Sequence, residues 1–237
     1  MNVVLLRVGI DTGCGGIHSP LFDDGTFEFV PIPDSRGLDQ RTYGSTRGRK
    51  GRPFAEYFPK AWQNRMASQA MHVDPEFESF TYGDPTPPKR GLAQLERGDL
   101  LVFYAGMKAC GHECPPALYL AGFFRVKLAG FAPGFSHQQL RCEFGQNYHV
   151  RHAKVFAEQR EKLVLIKGGN GSRLFRRAHL VGKTVRRQNA SAWQIITPKM
   201  EKVFGRFGGI GSLQRSTPRW VEDTLVNKAE DFVESLN

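Results

Sequence analysis

The chain is short of several things that 237 residues could carry. Four cysteines (Cys14, Cys110, Cys114 and Cys142) with no C-x-x-C pair offer no disulfide framework, zinc ribbon or zinc-deaminase signature. There is no G-x-S-x-G elbow and no H-E-x-x-H, so hydrolases built on those motifs are excluded. No apolar run approaches the roughly 20 residues that span a bilayer. The longest windows, "DLLVFYAGM" and "ALYLAGFF", are strand-sized, and no membrane partner is expected. The start, "MNVVLLRVGID", lacks the basic opening and small-residue cleavage site of a secretory signal, and the expected location is cytoplasmic. Acidic residues are also scarce: 23 against 33 Lys and Arg, a formal net charge of +10. An excess of that size points to a polyanionic partner, with DNA or a nucleotide first among them.

What is present begins with "NVVLLRVGI", apolar on both faces, which reads as a central strand. It runs into a glycine cluster, "GIDTGCGGIHSP". No lysine ends the cluster, so it is not a Walker loop. It runs into Ser-Pro and an Asp-Gly turn instead of a helix, so it is not a dinucleotide fingerprint either. Gly15 and Gly16 are read as positions of close backbone approach to a ligand. Arg7 and Asp11 lie four apart, on one side of a strand. They fit a buried ion pair, or an arginine gripping an anion beside a working carboxylate.

Further on, "TFEFVPI" alternates like a strand confined to an edge or end by Pro31 and Pro33. Residues 36–52 hold six Arg or Lys, one Asp and four glycines, and read as a mobile basic loop. The helical pattern of "FAEYFPKAWQNRMASQA" breaks at Pro59. The proline-rich "MHVDPEFESFTYGDPTPPKR" reads as a loop bearing His72, Asp74, Tyr82 and Asp84. "GLAQLERGDLLVFYAGM" gives a short helix, a turn and a buried strand, and "PPALYLAGFFRVKLAG" one long strand or two. Gly106 and Gly122 would let these strands bend. Later come a polar, helical or irregular stretch, a strand at "KLVLIKG", a short helix at "PKMEKVFGRFG" and an amphipathic C-terminal helix. The expectation is one α+β domain over 1–237: a curved, mostly antiparallel barrel or sheet with peripheral helices.

Three side-chain sets could carry chemistry. His72 with Asp74, and His149 in "NYHVRH", supply general acid–base groups or metal ligands. Arginines interleave with aromatics and glycines in "RTYGSTRGRKGRPF", "SRLFRRAH" and "FGRFGGIGSLQRSTPRW". That pattern suits phosphate contact and base stacking by Arg47, Arg49, Arg173, Arg176, Arg215 and Arg219. "CGHEC" places Cys110, His112 and Cys114 together, but at a spacing that does not match a zinc site, and no metal is assigned there.

Several blocks in order carry a resemblance: "LLRVGIDTGCGGIHSPLFDDGTFEFVPIPD", "HVDPEF" with "YGD", "LERGDLLVFYAG" with "YLAGFFRV", "NYHV", "SRLFRRA" and "STPRWV". In these the whole chain resembles the family called nucleotide modification associated domain 3. The "GDLLVFY" and "YLAGFF" pair also looks like PUA-like and EVE-like barrels, which bind RNA or modified bases. The resemblance implies gene neighbourhoods, in phages and bacteria, that modify nucleic-acid bases. It carries Arg7, Asp11, Gly15, Gly16, His72, Asp74 and His149 as family-motif positions, while "CGHEC" departs from it.

The expected function is therefore a component of a base-modification pathway that acts on or binds a nucleotide or a base in DNA. Other base-modification enzymes would be its partners. Asp11, His72, Asp74 and His149 are the expected catalytic groups. Arg7, Gly15, Gly16 and the six arginines above are the expected phosphate or nucleic-acid contacts. No cofactor is assigned. Two rivals stand beside this: a non-catalytic reader holding a modified or flipped base in a PUA-like pocket, and a metal-dependent defence nuclease.

Overall fold

Strand β1 (Val3–Arg7) has no polar alternation, and both its faces are covered. Val3 and Leu5 enter one core, Val4 and Leu6 another. The computed structural model describes residues 1–185, 193–209, 211–213 and 217–237. After β1 come β2 (Ser19–Leu21), β3 (Ile32–Pro33), helix α1 (Lys60–Ala67), β4 (Met71–His72) and β5 (Thr81–Asp84). The long pair β6 (Leu100–Ala109) and β7 (Ala117–Phe131) follows. Three short helices, α2 (His137–Phe144), α3 (Tyr148–Arg151) and α4 (Ala153–Gln159), lead to β8 (Val164–Gly168) and β9 (Arg173–Val185). Then come β10 (Trp193–Ile196), α5 (Pro198–Phe204), β11 (Arg219–Trp220) and α6 (Val226–Ser235).

The main sheet runs β10-β9-β7-β6-β1-β11, with β2 also on β6, and β8 joining β7 to β5. Most pairs are antiparallel, but β1 and β2 are both parallel to β6. Among the described residues the path ends at β10 and β11, so the sheet is open, not a closed barrel. β7 is one strand of 15 residues. Its first half pairs with β9 and its second with β8, with register shifts along the way. Gly122 sits at one of them, where a Cβ would lie 2.5 Å from the Arg173 carbonyl oxygen. The glycine expected to ease a bend thus lies where the ladder slips register and two backbones come close. On one face of the sheet lie α5 and α6, through Val203, Phe204, Ala229 and Val233. The other face carries Phe103, Phe124, Val126 and Ile166, with Tyr82 and Leu92 packed over them.

Local signals explain the smaller elements and two departures. Pro59 caps α1 from outside, which is where the helical pattern breaks. Ser136 and Gln139 form a capping box on α2. The alternating "TFEFVPI" yields only isolated bridges and the two-residue β3, since Pro31 and Pro33 cannot donate to a ladder. The "GLAQLERG" helix is a 3₁₀ segment, Pro87–Gln94, because Pro87, Pro88 and Gly91 do not sustain an α-helix. No helix among the described residues is long and apolar enough to cross a membrane.

Candidate functional site

The parallel pairing of β1 and β2 to the same strand defines the site. Arg7 ends β1 opposite Tyr104, and β2 resumes with Ser19 opposite Met107. Between them the chain leaves the sheet, and this excursion is the glycine cluster. Asp11 organises it. Its carboxylate accepts from Gly13 N–H at 2.9 Å and lies 3.2 Å from the Arg7 guanidinium. Its carbonyl accepts from the amides of Cys14 and Gly16. The ion pair expected from the spacing is present.

Arg7 then lines a cleft of about 330 Å³ with His72, Asp74 and His149. Three segments far apart in the chain supply these groups. His72 ends β4, and Asp74 follows two residues later. Both oxygens of Asp74 accept from the amide of Gly83 on β5, at 3.2 and 2.9 Å. His149 sits in α3, whose cap Asn147 takes the His149 N–H at 3.0 Å. Gly83 has to be glycine: a Cβ there would lie 2.8 Å from Asn147 Oδ1 and 3.0 Å from His149 Cδ2.

The three groups form one cluster. His149 Nε2 is 3.4 Å and His72 Nε2 4.0 Å from the same oxygen, Asp74 Oδ2. On its other side His149 Nδ1 meets Gln159 Oε1, the last residue of α4, at 2.6 Å. His72 stacks on Tyr148 with ring centroids 3.9 Å apart, and the Tyr148 hydroxyl donates to Asp34 Oδ1 at 2.7 Å. Burial, then the neighbouring His149, pushes His72 down to about 3. Burial pushes Asp74 up to about 6, against the opposing His149 and Gly83 contacts. Burial works against a charged His149, yet Asp74 and Gln159 overcome it and hold its pKa above the ordinary imidazole value. At neutral pH the cluster is a neutral imidazole beside a proton-sharing histidine–carboxylate pair. Lys89, 7% exposed, also lines the cleft.

The other expected contacts lie elsewhere. Gly15 and Gly16 have positive φ of 109° and 86°. Their open sides face Ile10 with Pro33, and Trp62, respectively. Arg47 donates to the Gly51 carbonyl at 2.8 Å, and Arg49 to the Phe175 and Arg176 carbonyls at 2.7 and 3.2 Å. Arg173 donates to Gly171, Glu234 and Leu236 carbonyls and lies over the Phe123 ring. Arg176 is exposed on β9. Arg219 is on β11 in register with Leu5, its Nε buried without a hydrogen-bond partner. Arg215 lies outside the described residues. Cys110, His112 and Cys114 lie on the β6–β7 turn, where Cys114 Sγ is 3.8 Å from the Tyr119 hydroxyl.

Sequence reasoning missed Lys89, Gln159 and the Tyr148–Asp34 support. Gln159 is ten residues from His149, on a different short helix, and no spacing rule connects the two.

No curated protein and no solved structure shows a significant match to the chain. A family model does, and it runs over residues 2–233, nearly from end to end. It spans every segment that feeds the cleft, from Arg7 to Gln159. With a match of that extent, the chain belongs to the family described as nucleotide modification associated domain 3.

Proposed function

We propose that the protein acts on a nucleotide, or on a single base presented out of a nucleic-acid strand, within a base-modification pathway, and that the chemistry takes place in the Arg7–His72–Asp74–His149 cleft. One observation carries this reading: four chemically capable side chains from three separate segments meet in one concavity. Its volume of about 330 Å³ lies at the small end of ligand sites and suits one nucleoside, not a duplex. Arg7 and Lys89 supply positive charge toward a phosphate. The Asp74–His149 pair supplies a proton that can move between substrate and protein. The catalytic reading is favoured over the reader because a reader holds its base by stacking. Tyr82, the one Phe, Tyr or Trp among the lining residues, is only 5% exposed.

The test is binding of the full chain to nucleoside monophosphates and to unmodified and base-modified DNA, single- and double-stranded, across a salt series. Binding should favour free nucleotides or unpaired bases and fall about tenfold or more in Arg7→Met, the usual scale for losing a charged contact. Turnover of any substrate found should vanish in His149→Gln while binding persists. Equal binding and turnover in parent and both variants would remove the cleft from the function.

A further inference from the structure

The same cluster supports a more specific assignment. We infer that His72, Asp74 and His149 form a binding site for one divalent transition-metal ion, with the open side of the ion facing the cleft. This rests on the reading above that the cleft is the working site, and with the ion bound Asp74 and His149 serve as its ligands in place of carrying a proton.

The argument starts from where the electron pairs point. Gln159 Oε1 sits 2.6 Å from His149 Nδ1, so the ring proton belongs on Nδ1. That leaves the Nε2 lone pair aimed at a carboxylate oxygen 3.4 Å away. Two acceptors that face each other in a buried place need a cation between them, either the shared proton described above or a metal ion. His72 faces the same oxygen. Its Nε2 is buried, has no hydrogen-bond partner, and lies 4.0 Å from that same oxygen. A proton on His149 Nε2 reconciles the first contact but leaves His72 Nε2 at 4.0 Å, beyond hydrogen-bond reach of the carboxylate. A metal ion satisfies all three donors at once.

Geometry and donor type agree with that. The three ligand atoms lie within 4.8 Å of one another. Ions held at about 2.0–2.2 Å bring their ligands to about 3–3.5 Å apart, so a small inward shift of His72 completes the set. Two imidazoles and one carboxylate favour zinc, iron, manganese or cobalt over magnesium or calcium, which prefer oxygen. The surrounding hydrogen bonds are of the kind that steady metal ligands. Gln159 fixes the tautomer of His149, and the Gly83 amide holds the carboxylate. Three protein ligands on one side leave coordination positions open, which is the pattern of a reactive site more than of a structural one. Among the described residues, no other group of three such side chains comes together, and "CGHEC" does not form one.

The experiment uses the untagged full chain stripped with a chelator and titrated with Co²⁺, followed by visible absorption and calorimetry, with Mg²⁺ as a control. One equivalent of Co²⁺ should bind with ligand-field bands, and Mg²⁺ should not compete. His72→Ala should weaken binding by about a hundredfold or more, and Gln159→Ala by about 10–100-fold with shifted bands. Melting curves of the metal-free variants separate loss of the site from loss of the fold, and Gln159→Ala leaves all three ligands in place. A double Cys110→Ser, Cys114→Ser variant should bind as the parent does. Absence of Co²⁺ binding, equal affinity in His72→Ala, or loss in the cysteine variant would each overturn the assignment. The two readings fail separately. Nucleotide binding without metal leaves the proposed function standing, and metal binding without any nucleotide leaves only the ion site.

Discussion

The cleft and the arginine-rich segments differ in what their charged groups still have to spend. In 36–52, Arg36 pairs with Glu158, Arg41 with Asp39 and Glu76, and Lys50 with Asp24. Arg47 and Arg49 are committed to carbonyl oxygens, as is Arg173 on β9. Glu28, 1% exposed, accepts from the amides of Arg49 and Lys50 and from the Tyr57 hydroxyl, and so ties the basic segment to the body. In the cleft Arg7 is paired as well, with Asp11, and the difference lies in the histidines. Groups of like character converge, and His72 Nε2 is left without a hydrogen bond. A net charge of +10 therefore overstates the cationic surface available to a polyanion. The arginines and lysine named above are held by contacts within the fold.

The largest test of that contrast is Glu28→Ala. It strips three donors of a buried acceptor, each worth about 1–3 kcal/mol when left unsatisfied. A loss of about 3 kcal/mol or more is expected in denaturant unfolding, with little change in the cleft. If stability barely moves, the basic segment is not built around this carboxylate. Gly83→Ala tests the other side. Its new methyl would press on Asn147 and His149, and overpacking of that kind costs about 1–3 kcal/mol. Metal and nucleotide binding should fall with it, which Glu28→Ala should leave intact.

A pH series sharpens the comparison further. His72 stays neutral in the folded protein down to about 3, whereas in the unfolded chain it takes up its proton below about 6.5. Across that window the unfolded state binds the extra proton, so this residue makes stability rise with pH. Asp74 acts in the opposite sense between 3.8 and about 6, because the folded state holds its proton longer. His72→Asn removes only the first contribution. Urea unfolding from about pH 4 to 7 should show the parent gaining on the variant as pH rises, then a constant difference above 6.5. A constant difference throughout would mean that His72 is not kept neutral by its surroundings.

These expectations also mark what could be read from the residues alone. The centre of the sheet was legible because β1, β6 and β7 are dense in apolar residues. The chemically capable residues were legible because histidines are few and two lie in "HVDP" and "NYHV". Their meeting was not legible, since it depends on β4, β5 and α3 packing together over long separations. The alternation in "TFEFVPI" misled for a physical reason. It places Glu28 on an outward face, yet Glu28 is buried because three donors from later in the chain surround it. The glycine cluster was legible as a place of unusual backbone. The partners of its open sides, Ile10, Pro33 and Trp62, come from tertiary packing that no motif records.

The smallest effects come from two arginines on one strand. Arg173 and Arg176 are indistinguishable in sequence, both inside "SRLFRRAH". Arg173 holds three carbonyl oxygens, two of them at the end of α6, and covers Phe123 at 4.8 Å. Arg173→Ala should cost about 1–2 kcal/mol through those charged hydrogen bonds, and its effect on nucleic-acid affinity should track stability. Arg176 is exposed, so Arg176→Ala should stay within about 0.5 kcal/mol of the parent. If the β9 face meets a nucleic-acid backbone, Arg176→Ala alone should lower the slope of log affinity against log salt by about 1. An unchanged slope would place the phosphate contacts away from β9. The cleft, with Arg7 and Lys89, would then be the main point of anion contact.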